Sequence, residues 1–269
     1  MIRALQTLVL AALVVAAIAA PAALAGLSRA QLDAVGVTPQ PGAPLPMAQR
    51  LRDAQGRTGT LADAAGGQPF ALFFVDYGCR MVCGAALRTL SGLMAELPAA
   101  DLAGWRLLVV GLDPSDGPAE SGVGRAGFLA VAPDAAAMSV FLTGTEDAIA
   151  ALAAASGYRY AFDAERDEYA HPVSLVIADA DGRVQRYLSP LAAAPQDLRF
   201  GLQDAGVAPQ GLLQAVRALC YRFDPQTGRY TPLIDRILAA LALLSLAVLA
   251  VGVLLLLRQG RRRGGAAAP

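Results

Sequence analysis

Ala71-Leu72-Phe73-Phe74-Val75-Asp76-Tyr77-Gly78-Cys79-Arg80-Met81-Val82-Cys83 is the stretch on which the fold turns. It opens on an unbroken apolar run of strand length, the pattern of a strand buried on both faces. A glycine and then two thiols four residues apart follow. Gly84-Ala85-Ala86-Leu87-Arg88-Thr89-Leu90 reads as the start of a helix that runs to about Glu96. Both thiols therefore stand where a strand gives way to a helix N-terminus. The helix dipole and the N–H groups of a first turn stabilise thiolate, which is both the soft metal ligand and the redox nucleophile. The i, i+4 spacing puts both sulfurs on one helical face if the helix begins early.

Upstream of that stretch, Asp53-Ala54-Gln55-Gly56-Arg57 looks like a hairpin turn, and residues 60–67 like a short helix closed by glycines. Downstream, residues 105–112 form the next strand and end in the dense turn signal Asp113-Pro114-Ser115-Asp116-Gly117-Pro118. Residues 119–131 are a helix candidate, 139–142 a short strand, and Thr145 an N-cap for a helix over 146–155. Strand 173–178 turns through Asp179-Ala180-Asp181-Gly182 into 183–188, a hairpin partner. A further helix is expected near 210–220. The order β, α, β, α, β, β, α is that of an α/β layer fold with a mixed sheet.

The two ends of the chain are hydrophobic. One arginine, an apolar stretch and Ala23-Leu24-Ala25 describe a secretory signal over residues 1–25. Residues 237–257 carry no charge and are long enough to cross a bilayer, and Arg258, Arg261, Arg262 and Arg263 follow at once. By the positive-inside rule that basic tail, residues 258–269, stays in the cytoplasm. The intervening chain then faces the periplasm or outer side of the cell inner membrane. With 22 basic against 22 acidic residues, nothing points to nucleic acid or a polyanionic substrate. Residues 26–50 form a proline-rich extended lead-in, and 201–236 a juxtamembrane segment with aromatic and Arg side chains suited to a membrane surface.

Three cysteines in an exported chain leave one over: Cys79 and Cys83 can pair, and Cys220 is then a buried inert thiol, a partner's, or a resolving one. The single histidine, His171, precedes Pro172, which pushes it to extended geometry just ahead of strand 173–178. In an α/β sheet, loops at matching strand ends gather into one site. Two thiolates and one imidazole are a soft, three-coordinate set that suits Cu(I) and, with rearrangement, Cu(II); zinc would want a fourth ligand. The same thiols can instead form a disulfide and act as a redox-active pair. Met81 is read as a residue at the helix start, Asp113 and Asp116 as turn-shaping, and Tyr77 and Tyr169 as packing.

Four motifs in order make the chain resemble the SCO/SenC family, membrane-anchored thioredoxin-fold proteins that serve copper delivery to cytochrome oxidase. The family's C-P-x-x-C-P reads here Cys79-Arg80-Met81-Val82-Cys83-Gly84; its D-P-x-x-D-x-P-E reads Asp113-Pro114-Ser115-Asp116-Gly117-Pro118-Ala119-Glu120. Its L-T-G is Leu142-Thr143-Gly144, and its distal histidine, eight residues before D-x-D-G, is His171 before Asp179. The likeness covers about residues 51–190. It implies a thioredoxin-like domain over 51–200, a mixed sheet with flanking helices, to which the apolar run at 237–257 adds a C-terminal transmembrane helix. It also implies that Cys79, Cys83 and His171 are the metal ligands, and that the partner is a copper-accepting oxidase subunit. Both prolines of the cysteine motif are replaced here, by Arg80 and Gly84, and the expected anchor is C-terminal where familiar members carry an N-terminal one. In thioredoxin-like proteins a cis-proline commonly faces the active thiols, and Pro172 is placed to be it. The expected function is a membrane-tethered copper chaperone. The alternative is a thiol–disulfide oxidoreductase that keeps a partner's metal-binding cysteines reduced.

Overall fold

In the computed structural model, residues 29–79, 83–208, 211–212, 221–224, 229–232 and 234–264 are described. The expected signal at residues 1–25, Met81, and most of the helix expected near 210–220, with Cys220, lie outside them.

A short helix α1 (Arg29–Ala34) and strand β1 (Gly36–Val37) come first, and β1 pairs with a distant two-residue strand described below. The hairpin read at residues 53–57 is present: β2 (Arg50–Asp53) pairs antiparallel with β3 (Thr58–Thr60), its turn held by Asp53 Oδ1, which accepts from the N–H groups of Gln55 and Arg57 at 2.9 Å each. Helix α2 (Leu61–Ala65) starts on a capping box, in which the Thr60 side chain accepts from Asp63 N–H and Asp63 reaches back to the Thr60 N–H.

Strand β4 (Phe70–Val75) is buried at every residue, and its alternate side chains feed two cores. Ala71, Phe73 and Val75 pack with α3 (Cys83–Ala95), through Leu87, Leu90 and Met94. Phe70, Leu72 and Phe74 pack on the opposite face with Leu61 and Ala65 of α2. Strand β5 (Arg106–Gly111), helix α4 (Pro118–Leu129) and strand β6 (Ser139–Thr143) follow, so β4, β5 and β6 run parallel with α3 and α4 as crossovers. Helix α5 (Glu146–Ala155) begins at Thr145, whose side chain accepts from Ala148 N–H as an N-cap should, and it covers the second core.

Beyond it, β7 (Tyr158–Arg159) is the partner of β1, and β8 (Ala161–Asp163) with β9 (Glu168–Ala170) forms a small hairpin. Strands β10 (Leu175–Ala178) and β11 (Val184–Leu188) are the hairpin read around Asp179-Ala180-Asp181-Gly182. The main sheet has seven strands in the order β11-β10-β4-β5-β6-β2-β3, parallel at its centre and antiparallel towards both edges. That is the mixed α/β layer expected.

Helix α6 (Pro195–Asp204) closes the first core with Leu198 and Leu202. Against it lies a hairpin, β12 (Tyr221–Asp224) with β13 (Arg229–Pro232), in which the rings of Tyr221 and Tyr230 stand 4.9 and 5.3 Å from that of Phe200. The last element, α7 (Ile234–Gly264), carries Leu238, Leu241, Leu244, Val248 and Val251 exposed. Counted over the described residues alone, no helix is long and apolar enough to cross a membrane.

Candidate functional site

The register of β10 on β4 decides where the histidine goes. Leu175 stands opposite Phe73, and the strands are antiparallel, so the residues ahead of Leu175 run past the C-terminal end of β4. The loop holding the thiols leaves from that same end. His171 and Cys79, 92 positions apart in the chain, are thereby carried by neighbouring segments at one end of the sheet.

A single carboxylate ties the two segments together. Asp76, the first residue after β4, is 3% exposed. Its Oδ1 accepts from the N–H of Gly78 at 2.9 Å and of Cys79 at 3.1 Å; its Oδ2 accepts from the N–H of Tyr169 at 2.8 Å. Tyr169 belongs to β9, which ends one residue before His171. The Tyr169 ring stacks with those of Tyr160 and Phe162, centroids 5.8 and 4.9 Å away, and so stiffens the arm that carries the histidine. Sequence reading gave Asp76 no role. Its only signal was an acidic residue at the end of a wholly apolar strand, where a carboxylate needs donors.

Tyr158 is the second residue the sequence left unassigned. It is buried, its ring lies 4.5 Å from that of Phe74, and its Oη donates a short hydrogen bond to the Pro172 carbonyl. His171 Nδ1 lies 3.0 Å from Tyr158 Oη and 3.1 Å from the same carbonyl. With the tyrosine proton committed to the carbonyl, only an Nδ1–H imidazole avoids setting lone pair against lone pair. This network favours the proton on Nδ1. A metal-binding histidine is commonly oriented in this way by a carbonyl on its other nitrogen. Burial also pushes the His171 pKa below its ordinary value, against the opposing pull of the Pro172 carbonyl and the Asp76 charge, so the ring stays neutral and able to coordinate at neutral pH.

Pro172 differs from expectation. No cis peptide bond occurs among the described residues, so the His171–Pro172 bond is trans. The carbonyl of Pro172, rather than a cis ring facing the thiols, is its contact with the site.

Cys79 is partly buried and packs against the first core. Cys83 is the first residue of α3, so the two cysteine positions bracket the junction of loop and helix. Among the described residues no group of three His, Cys, Asp or Glu side chains is disposed to hold a metal ion. Tyr77 is packing, as read: its hydroxyl donates to the carbonyls of Val109 and Leu142 at 3.0 and 3.2 Å, and its ring lies between Gly111 and Gly124. A Cβ at either glycine would come within 2.8 and 2.7 Å of that ring, which is why the β5 end and α4 both present glycine there.

Asp113 shapes its turn as expected, accepting from Ser115 N–H at 2.7 Å. Asp116 is more unusual. Its Oδ2 is buried without a hydrogen-bond partner among the described residues, and burial together with the charges of Asp113, Asp76 and Glu120 pushes its pKa up to about 7. An unfolded Asp titrates near 4, so between about pH 4 and 7 the folded chain holds a proton that the unfolded chain has released. Stability therefore falls as pH rises through that window. Asp116→Asn is expected to change little at pH 4 and to stabilise the domain by roughly 1–2 kcal/mol at pH 8, the full shift being discounted for solvent screening of a half-exposed group. Thermal melts at the two pH values check this, and equal shifts at both would refute it.

The fold and the paired arms define a thioredoxin-like protein with a thiol loop facing a histidine-bearing segment. The family model SCO1/SenC matches residues 38–199, more than half of the chain, and the chain belongs to that family. Among solved structures, a candidate electron-transfer protein from Aquifex aeolicus VF5 shares 17% identity, over 62% of this chain and 95% of that one, with a TM-score of 0.53. BsSco, described as a member of the Sco family of cytochrome c oxidase assembly proteins with a disulfide switch, shares 20% identity over 62% and 96%, TM-score 0.50. A SCO1/SenC family lipoprotein from Bacillus anthracis shares 16% over 61% and 96%, TM-score 0.50. At such identities these likenesses establish the fold. No curated protein sequence matches the chain significantly.

Proposed function

We propose that this protein is a membrane-tethered copper chaperone that takes its cargo on Cys79, Cys83 and His171 and delivers it during cytochrome c oxidase assembly. The observation that carries the reading is the Asp76 carboxylate, which accepts from the Cys79 N–H and from the Tyr169 N–H and so holds the histidine-bearing segment beside the Cys79 loop. Two thiolates and an imidazole are a soft set matched to Cu(I), and an open three-ligand site allows a receiving protein's ligands to enter before the donor's leave. Membership of the SCO1/SenC family supports the copper and oxidase parts of the reading. The uncharged stretch at 237–257 within α7, with the arginines after it, supports a single C-terminal span that leaves the domain on the outer face of the inner membrane. Tethering would raise the effective concentration of donor and acceptor in the same membrane.

The test is Cu(I) binding by the fully reduced full chain in detergent, against a competing chelator. One copper per chain is expected, with affinity lost or greatly weakened in His171→Ala and in Cys79→Ser. Binding indifferent to His171 would sink the three-ligand site.

A second reading is a thiol–disulfide oxidoreductase that keeps a partner's metal-binding cysteines reduced. It is supported by the loss of both prolines from the cysteine motif and by the disulfide switch described for BsSco. It needs Cys79 and Cys83 but not His171, so unchanged reductase activity in His171→Ala would select it.

A further inference from the structure

One face of the site opens into a cleft of about 250 Å³ between the thiol loop, α3 and α4. Cys79 forms part of its wall. Leu87, Phe128, Val123 and Val131 give it apolar sides, and the last two are 75% and 44% exposed. Gly127 also lines it, and a Cβ built there meets no atom within 4 Å. Packing therefore does not require glycine at that position, as it does at Gly124, and the gap admits a neighbouring chain close to the α4 backbone.

Two features say what fits. Free-ligand pockets commonly run to roughly 300–1,000 Å³, and this cleft is smaller and open, a size for one or two side chains of a longer segment. Its charges are also unequal. Asp76 lines the floor, but its two oxygens are occupied by three backbone N–H groups. Arg88 is exposed at the rim and makes no ion pair among the described residues. The net offer is apolar walls, a sulfur and one positive charge.

We propose that this cleft is the docking groove for an extended segment of a partner protein that presents a sulfur ligand to Cys79, flanked by an apolar side chain and a carboxylate. The proposal deepens the function proposed above and rests on it, since exchanging a disulfide requires the partner's sulfur beside this one and a soft ion passes readily from thiolate to thiolate. The apolar side chain enters between Val123, Phe128 and Leu87, and the carboxylate meets Arg88.

The test uses sulfur exchange without copper, so that it stands or falls separately from copper binding. The probes are acetylated Leu-Asp-Cys, Leu-Lys-Cys and Gly-Gly-Cys peptides, each as the mixed disulfide with 5-thio-2-nitrobenzoate. The protein is the reduced full chain in detergent carrying Cys83→Ser and Cys220→Ser. The Cys79 thiolate attacks the peptide sulfur, a Cys79–peptide S–S bond forms, the bond to thionitrobenzoate breaks, and the electron pair leaves on that coloured thiolate. Rates are read relative to the same reaction of a free small thiol.

The Leu-Asp peptide is expected to react about tenfold faster than the Gly-Gly peptide, the advantage of partly burying one leucine. Gly127→Leu, which fills the cleft, and Val123→Ser, which removes an exposed wall, should each shrink that ratio. Arg88→Glu should reverse the preference between the Asp and Lys peptides. Equal relative rates for all three peptides, or ratios untouched by Gly127→Leu and Val123→Ser, overturn the groove. Peptide selectivity in a protein that binds no copper supports the groove and counts against the copper reading alone.

Discussion

Replacing Asp76 with alanine is expected to destabilise the domain by about 3 kcal/mol and to weaken the proposed copper site with it. The side chain is almost wholly buried and accepts three N–H groups, two from the thiol loop and one from Tyr169. Hydrogen bonds to an ionised group contribute roughly 1.5–3 kcal/mol each, and a donor left unpaired on burial adds its own penalty. The total stays below the sum because Gly78 is exposed and its N–H can turn to water. Asp76→Asn should fall between: one oxygen can still serve one arm, while the amide nitrogen sets donor against donor at the other. Equilibrium unfolding of the three proteins measures the stability order, and copper competition measures whether the two arms have separated. An alanine variant as stable as the parent would falsify the carboxylate's role as the tie between them.

Tyr158→Phe separates positioning from folding. The phenyl ring keeps its place against Phe74, 4.5 Å away, so the packing survives and the loss is confined to one hydroxyl. Stability should drop by only about 1 kcal/mol. On the proposed three-ligand site, copper affinity should fall by about 10- to 100-fold, the usual consequence of removing a group that orients a metal-binding histidine. His171 Nδ1–H would keep the Pro172 carbonyl but lose the oxygen that fixes the ring from the other side. The diagnostic result is this imbalance, a large change in affinity with a small change in melting temperature. Matching losses in both would reduce Tyr158 to a core residue.

Much of the fold was legible because its signals are local. The run at residues 71–75 reads as a buried strand from apolarity alone, and β4 is buried at every position. Thr145 reads as a cap because a hydroxyl there can accept from the first turn, and it does so at Ala148. The Asp179-Ala180-Asp181-Gly182 turn reads as a hairpin because Gly182 supplies the positive φ, 79°, that the reversal needs. Cys79 and His171 were selected by residue type, being the soft donors that such a loop and such a strand end can offer.

What the sequence could not supply is long-range. Nothing local states that β10 lies beside β4, nor that Leu175 faces Phe73, yet that register brings the histidine segment to the thiol end. Asp76 contacts a residue 93 positions away, and Tyr158 reaches its partners from a two-residue strand that no periodicity marks. The cis bond expected at Pro172 is trans, because the His171–Pro172 bond takes the isomer that the surrounding packing selects. The amino-acid sequence by itself determined the central strands and their helices, the turn chemistry and the choice of candidate donor residues, since these depend on neighbours a few residues apart. Only the tertiary structure decided which segments meet and which buried groups hold them. Those contacts exist once distant strands have paired, and the pairing is chosen by burial over the whole sheet rather than by any stretch within it.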